Sequence, residues 1–171
     1  SYIRSAAASG STEKTCSVLA MQGTSMSTPG EIKLILRFFD ENLKLKAGEP
    51  TQTTYLLGLA YDLFPEDKRG IAVEHLIAEI ENADFHLRTG FLGTPLLTQV
   101  LQDAGRSDII YELLFKETYP SWFHSINNGA TTTWERWNSY SIEEGFNPQG
   151  MNSLNHYAYG TVSRWFYEGI L

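Results

Sequence analysis

Residues 51–82 read TQTTYLLGLAYDLFPEDKRGIAVEHLIAEIEN, and the spacing of their apolar side chains decides the fold class. Tyr55, Leu56, Leu59 and Leu63 fall on one face at helical spacing, and Pro65 is expected to stop that helix. Val73, Leu76, Ile77 and Ile80 repeat at three- and four-residue intervals in a second helix after Glu66 and Asp67. The predicted spans, 51–64 and 67–82, are separated by a link so short that the two helices must run antiparallel, as an αα-hairpin.

The same design continues toward the C-terminus. Thr94-Pro95 is the expected N-cap and first position of a helix carrying Leu96, Leu97, Val100 and Leu101, with Gly105 as its stop. Ser107 is the expected cap of the next, which carries Ile109, Ile110, Leu113 and Leu114. The spacing gives spans of 94–104 and 107–117, a second hairpin. A short helix is expected from Ser121 and a last one from about Ser153 to Tyr167. Longer links, 83–93 and 128–151, join one hairpin to the next. Hairpins joined by alternating short and long links suggest an all-α toroid or solenoid, although no strong internal repeat is visible. About three hairpins fit, half of a six-hairpin (α/α) barrel.

Composition narrows the function classes. The 171 residues suffice for one hydrophobic core, and the formal net charge of -7 argues against a phosphate backbone as partner, so no nucleic acid is expected. No apolar run of membrane-spanning length occurs, so no membrane partner is expected either. Cys16 is the single cysteine, which rules out an intramolecular disulfide and leaves cytoplasmic and secreted settings both open for a soluble chain. The chain opens Ser-Tyr-Ile-Arg, without an initiator Met or a signal-peptide pattern, as a sequence starting inside a gene would. His86 and His124 have no partner at metal-ligand spacing, so neither a metal nor a cofactor is expected.

Chemistry concentrates in the link 128–151. A segment this long in a compact helical domain is functional or disordered, and its two Trp, with Tyr and Phe, argue for order. Glu135 lies between Trp134 and Trp137 with Arg136 beside it, which makes it a candidate acid or base. The indole faces offer platforms for the C–H face of a sugar ring. The plainer reading has Glu135 pairing with Arg136 or capping a turn while the rings fill core. His156 could hydrogen-bond a ligand hydroxyl, orient a carboxylate, or serve the structure alone. Glu143-Glu144 reads as a solvated surface pair.

Five segments occur in order: Thr51-Gln-Thr-Thr-Tyr-Leu-Leu, His86-Leu-Arg-Thr-Gly-Phe-Leu-Gly-Thr94, Tyr119-Pro-Ser-Trp122, Gly129-Ala-Thr-Thr-Thr-Trp-Glu-Arg-Trp137 and Gly150-Met-Asn-Ser-Leu-Asn-His-Tyr-Ala-Tyr-Gly160. Together with Phe38-Phe-Asp-Glu-Asn42 they resemble the bacterial α-L-rhamnosidases of glycoside hydrolase family seventy-eight, over residues 31–171. The resemblance implies the C-terminal part of a six-hairpin (α/α) barrel and inverting hydrolysis of terminal α-L-rhamnosides, so that the partner is a rhamnose-containing glycoside or oligosaccharide. By motif position it implies that Glu135 is the general base and His156 a substrate contact. Trp134 and Trp137 would line or support the sugar pocket, and Trp122 of the third segment is placed with them. The family's general acid lies in the earlier half of the barrel, in an acidic motif this chain lacks. The chain alone is therefore expected to be inactive, and its open hairpin faces to favour self-association.

Residues 1–30, rich in Ser, Ala, Gly and Thr, are expected not to form a folded domain. Within them Gly23-Thr-Ser-Met-Ser-Thr-Pro29 resembles the serine motif of subtilisin-like proteases, with Ser25 as nucleophile. No His or Asp precedes it to complete a triad, so protease chemistry is not expected. Three function classes stand at this point: a glycosidase catalytic domain, a non-catalytic carbohydrate-binding or interaction fragment, and a serine protease fragment.

Overall fold

The structure, a computed structural model, describes residues 38–171; the Ser25 motif lies outside them. The regular structure of the described residues is helical apart from one two-stranded ribbon and one isolated bridge. They fall into two compact units that part at Glu79 and Ile80. No helix among them is long and apolar enough to cross a membrane.

In the first unit, α1 spans Gln52–Ala60. Thr51 caps it, its hydroxyl accepting from the Thr54 amide at 3.2 Å while the Thr54 hydroxyl accepts from the Thr51 amide at 3.2 Å. This reciprocal capping box satisfies two donors that a helix start leaves open. Tyr55, Leu56, Leu57 and Leu59 are all buried, so α1 is covered on more than the one face its spacing indicates.

The helix does not run on to Pro65. It ends at Ala60, where Asp62 takes the left-handed conformation (φ 52°) and the Leu63 amide donates to the Gly58 carbonyl at 2.9 Å. Such a reversal pairs carbonyls that the last turn leaves without partners. Pro65 instead precedes a 3-10 turn, Glu66–Lys68, which leads into α2, Arg69–Glu81.

The segment before α1 is tied to both helices of this hairpin. Phe39 is buried with its ring edge-on to Phe64 at 5.4 Å. The Tyr55 ring stacks on His75 of α2 at 5.3 Å, and its hydroxyl donates to the Leu43 carbonyl at 3.3 Å. His75 in turn donates through Nε2 to the Asn42 carbonyl at 2.7 Å.

In the second unit, α3 (Thr94–Asp103) and α4 (Ser107–Leu114) pack as the second hairpin. They bury Leu97, Val100 and Leu101 against Ile109, Ile110 and Leu113. Gly105 ends α3 as expected: at φ 71° it lets the Arg106 amide reach the Leu101 carbonyl at 2.8 Å.

Both predicted N-caps are shifted by one residue. Gly93 and Arg106 precede the helices, and neither supplies a side-chain cap. The Thr94 hydroxyl is occupied by Thr89 at 2.7 Å, and Arg106 pairs with Asp108 at 2.8 Å.

Ser121 does cap the short α5, Trp122–Asn127, accepting from the His124 amide at 3.1 Å. The link that follows carries a small antiparallel ribbon, β1 (Tyr140–Ser141) with β2 (Gly145–Phe146). The last helix starts later than Ser153. A 3-10 turn, Ala158–Thr161, opens it, α6 spans Val162–Trp165, and a π-helical turn, Phe166–Ile170, ends it. Trp165, 2% exposed, is its anchor, edge-on to Tyr111 of α4 at 5.1 Å.

Two expectations follow for the first unit. A Cβ added at Gly58 would sit 2.1 Å from Cε2 of the buried Phe64 ring, so Gly58→Ala should cost about 1–3 kcal/mol of stability in urea unfolding. Burial pushes the Tyr55 phenol up to about 12, with the charges of Glu79 and Asp40 adding to it. An unfolded tyrosine ionises near ~10, so the folded phenol holds its proton where the unfolded one has lost it. That contribution is complete below pH ~10 and lost as pH rises toward 12. Urea midpoints compared across that interval should fall less steeply in Tyr55→Phe than in the parent chain.

Candidate active site

The segments 129–137 and 150–160, both outside regular helix where they meet, satisfy each other's backbone. The His156 amide donates to the Thr133 carbonyl at 2.8 Å, and the Glu135 amide to the Ser153 carbonyl at 2.9 Å. The Thr132 hydroxyl adds a bond to the Leu154 carbonyl. This pairing explains why the last helix cannot begin at Ser153: residues 153–156 are engaged with the other strand. It also brings Glu135 and His156, distant in sequence, onto neighbouring positions of one braced loop pair.

Glu135 is half-buried, and its Oε2 accepts from the Ser153 amide at 3.2 Å. Its Oε1 has no hydrogen-bond partner among the described residues. The carboxylate thus ties to the facing segment rather than capping a turn of its own. Nor does it pair with Arg136, whose guanidinium donates instead to the Gly150 carbonyl at 3.3 Å and to Gln149 Oε1 at 3.1 Å. The turn after Glu135 is fixed by buried Ser139, whose hydroxyl accepts from the Arg136 amide at 3.1 Å. One carboxylate oxygen is thus held by the backbone while the other has no bond within the described residues, an arrangement able to take a proton from a bound water.

His156 stacks its ring on Phe91 at 4.8 Å and 22°, and on Tyr157 at 5.3 Å. Its Nδ1 accepts from the Ala158 amide at 3.3 Å. The ring is therefore oriented by its neighbours, and its Nε2 is left without a protein hydrogen bond among the described residues.

The tryptophans divide by burial. Trp134 and Trp137 are 5% and 7% exposed, while Trp122 is half-buried. Trp137 lies face to face with Tyr159 at 3.9 Å, so that face of the indole is occupied by protein. Trp122 sets its edge against Trp137 at 5.4 Å and donates from Nε1 to the Tyr159 carbonyl at 2.8 Å. The Ser125 hydroxyl of α5 donates to the Trp137 carbonyl at 3.0 Å. These three indoles line a cleft of about 320 Å³ together with Tyr159 and Thr131–Thr133.

Two residues that the sequence reading did not single out belong to this cluster. Phe91 carries the His156 ring, and Tyr159 carries Trp137. Both lie inside the quoted motifs, which was the available signal. Burial pushes the Tyr159 phenol up to about 12, with the charge of Tyr119 adding, Arg136 opposing and Glu135 adding. Tyr159 therefore stays a neutral O–H donor at neutral pH, within electrostatic reach of Glu135. Glu143 and Glu144 are exposed on the ribbon turn. Among the described residues no group of three or more His, Cys, Asp or Glu side chains converges on a metal position.

Residues 33–170 match the family described as the bacterial alpha-L-rhamnosidase 6 hairpin glycosidase domain. A relative named alpha-L-rhamnosidase from Alteromonas sp. is 75% identical over 134 residues, 78% of this chain and 15% of its own length. Another of that name from Formosa agariphila is 53% identical over 163 residues, 93% of this chain and 18% of its own. That share is too large for all of residues 1–30 to lie outside the match. The crystal structure of the Streptomyces avermitilis alpha-L-rhamnosidase complexed with L-rhamnose superposes with a TM-score of 0.74 at 45% identity. It covers 81% of this chain and 13% of that one. The chain thus spans less than a fifth of the length of these relatives. With the hairpins, the braced loop pair and the family match in agreement, the chain belongs to the bacterial α-L-rhamnosidase family of six-hairpin glycosidases.

Proposed function

We propose that this chain forms the general-base side of an inverting α-L-rhamnosidase site. The observation that carries the reading is the Glu135 carboxylate, anchored through one oxygen by the Ser153 amide and open at the other, beside an oriented His156. In an inverting mechanism the base activates a water on the face of the sugar opposite the leaving group. The acid that protonates the leaving oxygen stands roughly 6.5–9.5 Å from it, which leaves room for that water. Glu135 is the base in this assignment, and His156 holds a rhamnose hydroxyl through Nε2. Trp122 offers an accessible indole to the sugar, while Trp134 and Trp137 shape the wall behind it.

In this reading the acid belongs to earlier hairpins of the barrel, outside the 171 residues given, which span less than a fifth of the relatives' length. The name of the Streptomyces complex, with L-rhamnose bound, supports the choice of sugar. A fragment carrying the base and the sugar contact without the acid binds its sugar and does not cleave it.

Calorimetry of the purified chain should detect weak binding of L-rhamnose, with His156→Ala lowering the affinity at least about threefold. A chromogenic α-L-rhamnoside should show no turnover with the same sample. Absence of rhamnose binding would defeat the assignment of the sugar site, and measurable turnover would defeat the assignment of the acid to another part of the barrel. In a catalytic domain that supplies the acid, Glu135→Gln should lower kcat by roughly a hundredfold or more, the ordinary worth of a positioned base, with a much smaller change in KM.

A further inference from the structure

Two tyrosines are buried among the described residues, Tyr55 and Tyr159, at 2% and 7% exposure. A buried phenol carries an apolar ring and one hydroxyl that ordinarily finds a partner. Tyr55 finds its partner within the protein, donating to the Leu43 carbonyl at 3.3 Å. Tyr159 does not, and its hydroxyl makes no hydrogen bond among the described residues. Nor is that oxygen one of the fully enclosed side-chain atoms left without a partner, which are Asn152 Oδ1 and Trp165 Nε1. A ring almost wholly covered thus ends in a hydroxyl that opens on accessible space.

The rest of the residue is fixed. Tyr159 lies in the 3-10 turn Ala158–Thr161, its ring faces Trp137 at 3.9 Å and 15°, and Phe91 leans on it at 5.7 Å. Its carbonyl accepts from Trp122 Nε1 at 2.8 Å. Phe91, Trp122 and Trp137, from three separate segments, therefore hold the phenol in place before any ligand arrives, which lowers the ordering cost of binding.

Beyond burial, the groups that act on the ionisation of this phenol are Tyr119, Arg136 and Glu135. The hydroxyl therefore opens within electrostatic reach of the proposed base. Tyr159 also lines the cleft of about 320 Å³ that the indoles share. A fixed neutral donor at the edge of an aromatic wall suits a ring that has a C–H face and hydroxyls around its rim.

We propose that the Tyr159 hydroxyl is a substrate contact that helps select the sugar, donating to one ring hydroxyl of the rhamnose alongside His156. The proposal rests on the reading that rhamnose occupies the Glu135 and His156 side, and the test separates the two.

Calorimetry of the purified chain at neutral pH would use methyl α-L-rhamnoside and three derivatives, each lacking a different one of its ring hydroxyls. Tyr159→Phe keeps the ring that stacks on Trp137 and removes only the hydroxyl. It should lower affinity for the complete rhamnoside about threefold to tenfold, the worth of one hydrogen bond. Against the one derivative that lacks the contacted hydroxyl, Tyr159→Phe and the unsubstituted chain should bind equally. Because the hydroxyl has no partner within the described residues, the urea midpoint and near-ultraviolet circular dichroism of Tyr159→Phe should match those of the unsubstituted chain. Equal affinity of the two chains for the complete rhamnoside would overturn the proposal. A loss of the same size against all three derivatives would overturn it as well, since a structural effect does not distinguish one sugar hydroxyl from another. Rhamnoside binding that responds to His156→Ala and not to Tyr159→Phe would sink this proposal alone and leave the rhamnose-side reading standing. Absence of rhamnoside binding by the unsubstituted chain would overturn both.

Discussion

The backbone pairing between residues 132–135 and 153–156 is the constraint on which the candidate site depends. Neither segment is helical where they meet, so each carries amides and carbonyls that a helix would have satisfied internally. They satisfy one another at Thr133 with His156 and at Glu135 with Ser153. The same bonds that settle the backbone also set the two candidate side chains on facing segments. Loosening the pairing would cost these hydrogen bonds and the site geometry at once. A loop pair of this kind can hold chemistry with the precision usually found on regular elements.

The aromatic residues act mainly as the foundation of that pair. Trp137 is sandwiched against Tyr159, and its carbonyl is held by Ser125 of α5. Trp122 reaches from α5 to the Tyr159 carbonyl. Rings at such offset and edge-on geometries add roughly 0.5–1.5 kcal/mol per pair beyond their buried area. The indoles of the 128–151 link were open to two readings, sugar platform or core. Within this cluster most of the area is core, and Trp122 is the indole with surface to spare. His156 fits the same economy, since its stack on Phe91 fixes the ring plane without using Nε2.

How much could be read from the sequence depended on whether a signal was local. Apolar spacing placed the helices because Leu76, Ile77, Leu101 and Leu113 are buried at the positions their period indicates. Gly105 and Ser121 were legible because glycine favours the left-handed stop and serine the cap. The end of α1 was not legible, because its left-handed residue is Asp62, a type with no comparable preference. Thr94 and Ser107 misled because residue type alone does not show whether a hydroxyl is already taken, as Thr89 takes that of Thr94. The ribbon escaped notice because two residues per strand leave no alternation to read. Glu135 was visible as an unusual carboxylate, but the pairing of its segment with that of His156 is long-range and leaves no local signal.

Every residue assigned to the candidate site lies within residues 80–171, the second of the two compact units. Its bracing is equally contained there: α5 holds Trp137 from below, and residues 153–160 hold Glu135, Trp122 and Thr133 from the side. The position of Glu135 is therefore determined by bonds made within residues 80–171. Such containment suits the base proposed for an inverting site. The gap between acid and base must admit one water and no more, so the two carboxyls are best carried by parts that are each rigid on their own. For Glu135, that rigidity comes from the paired loops.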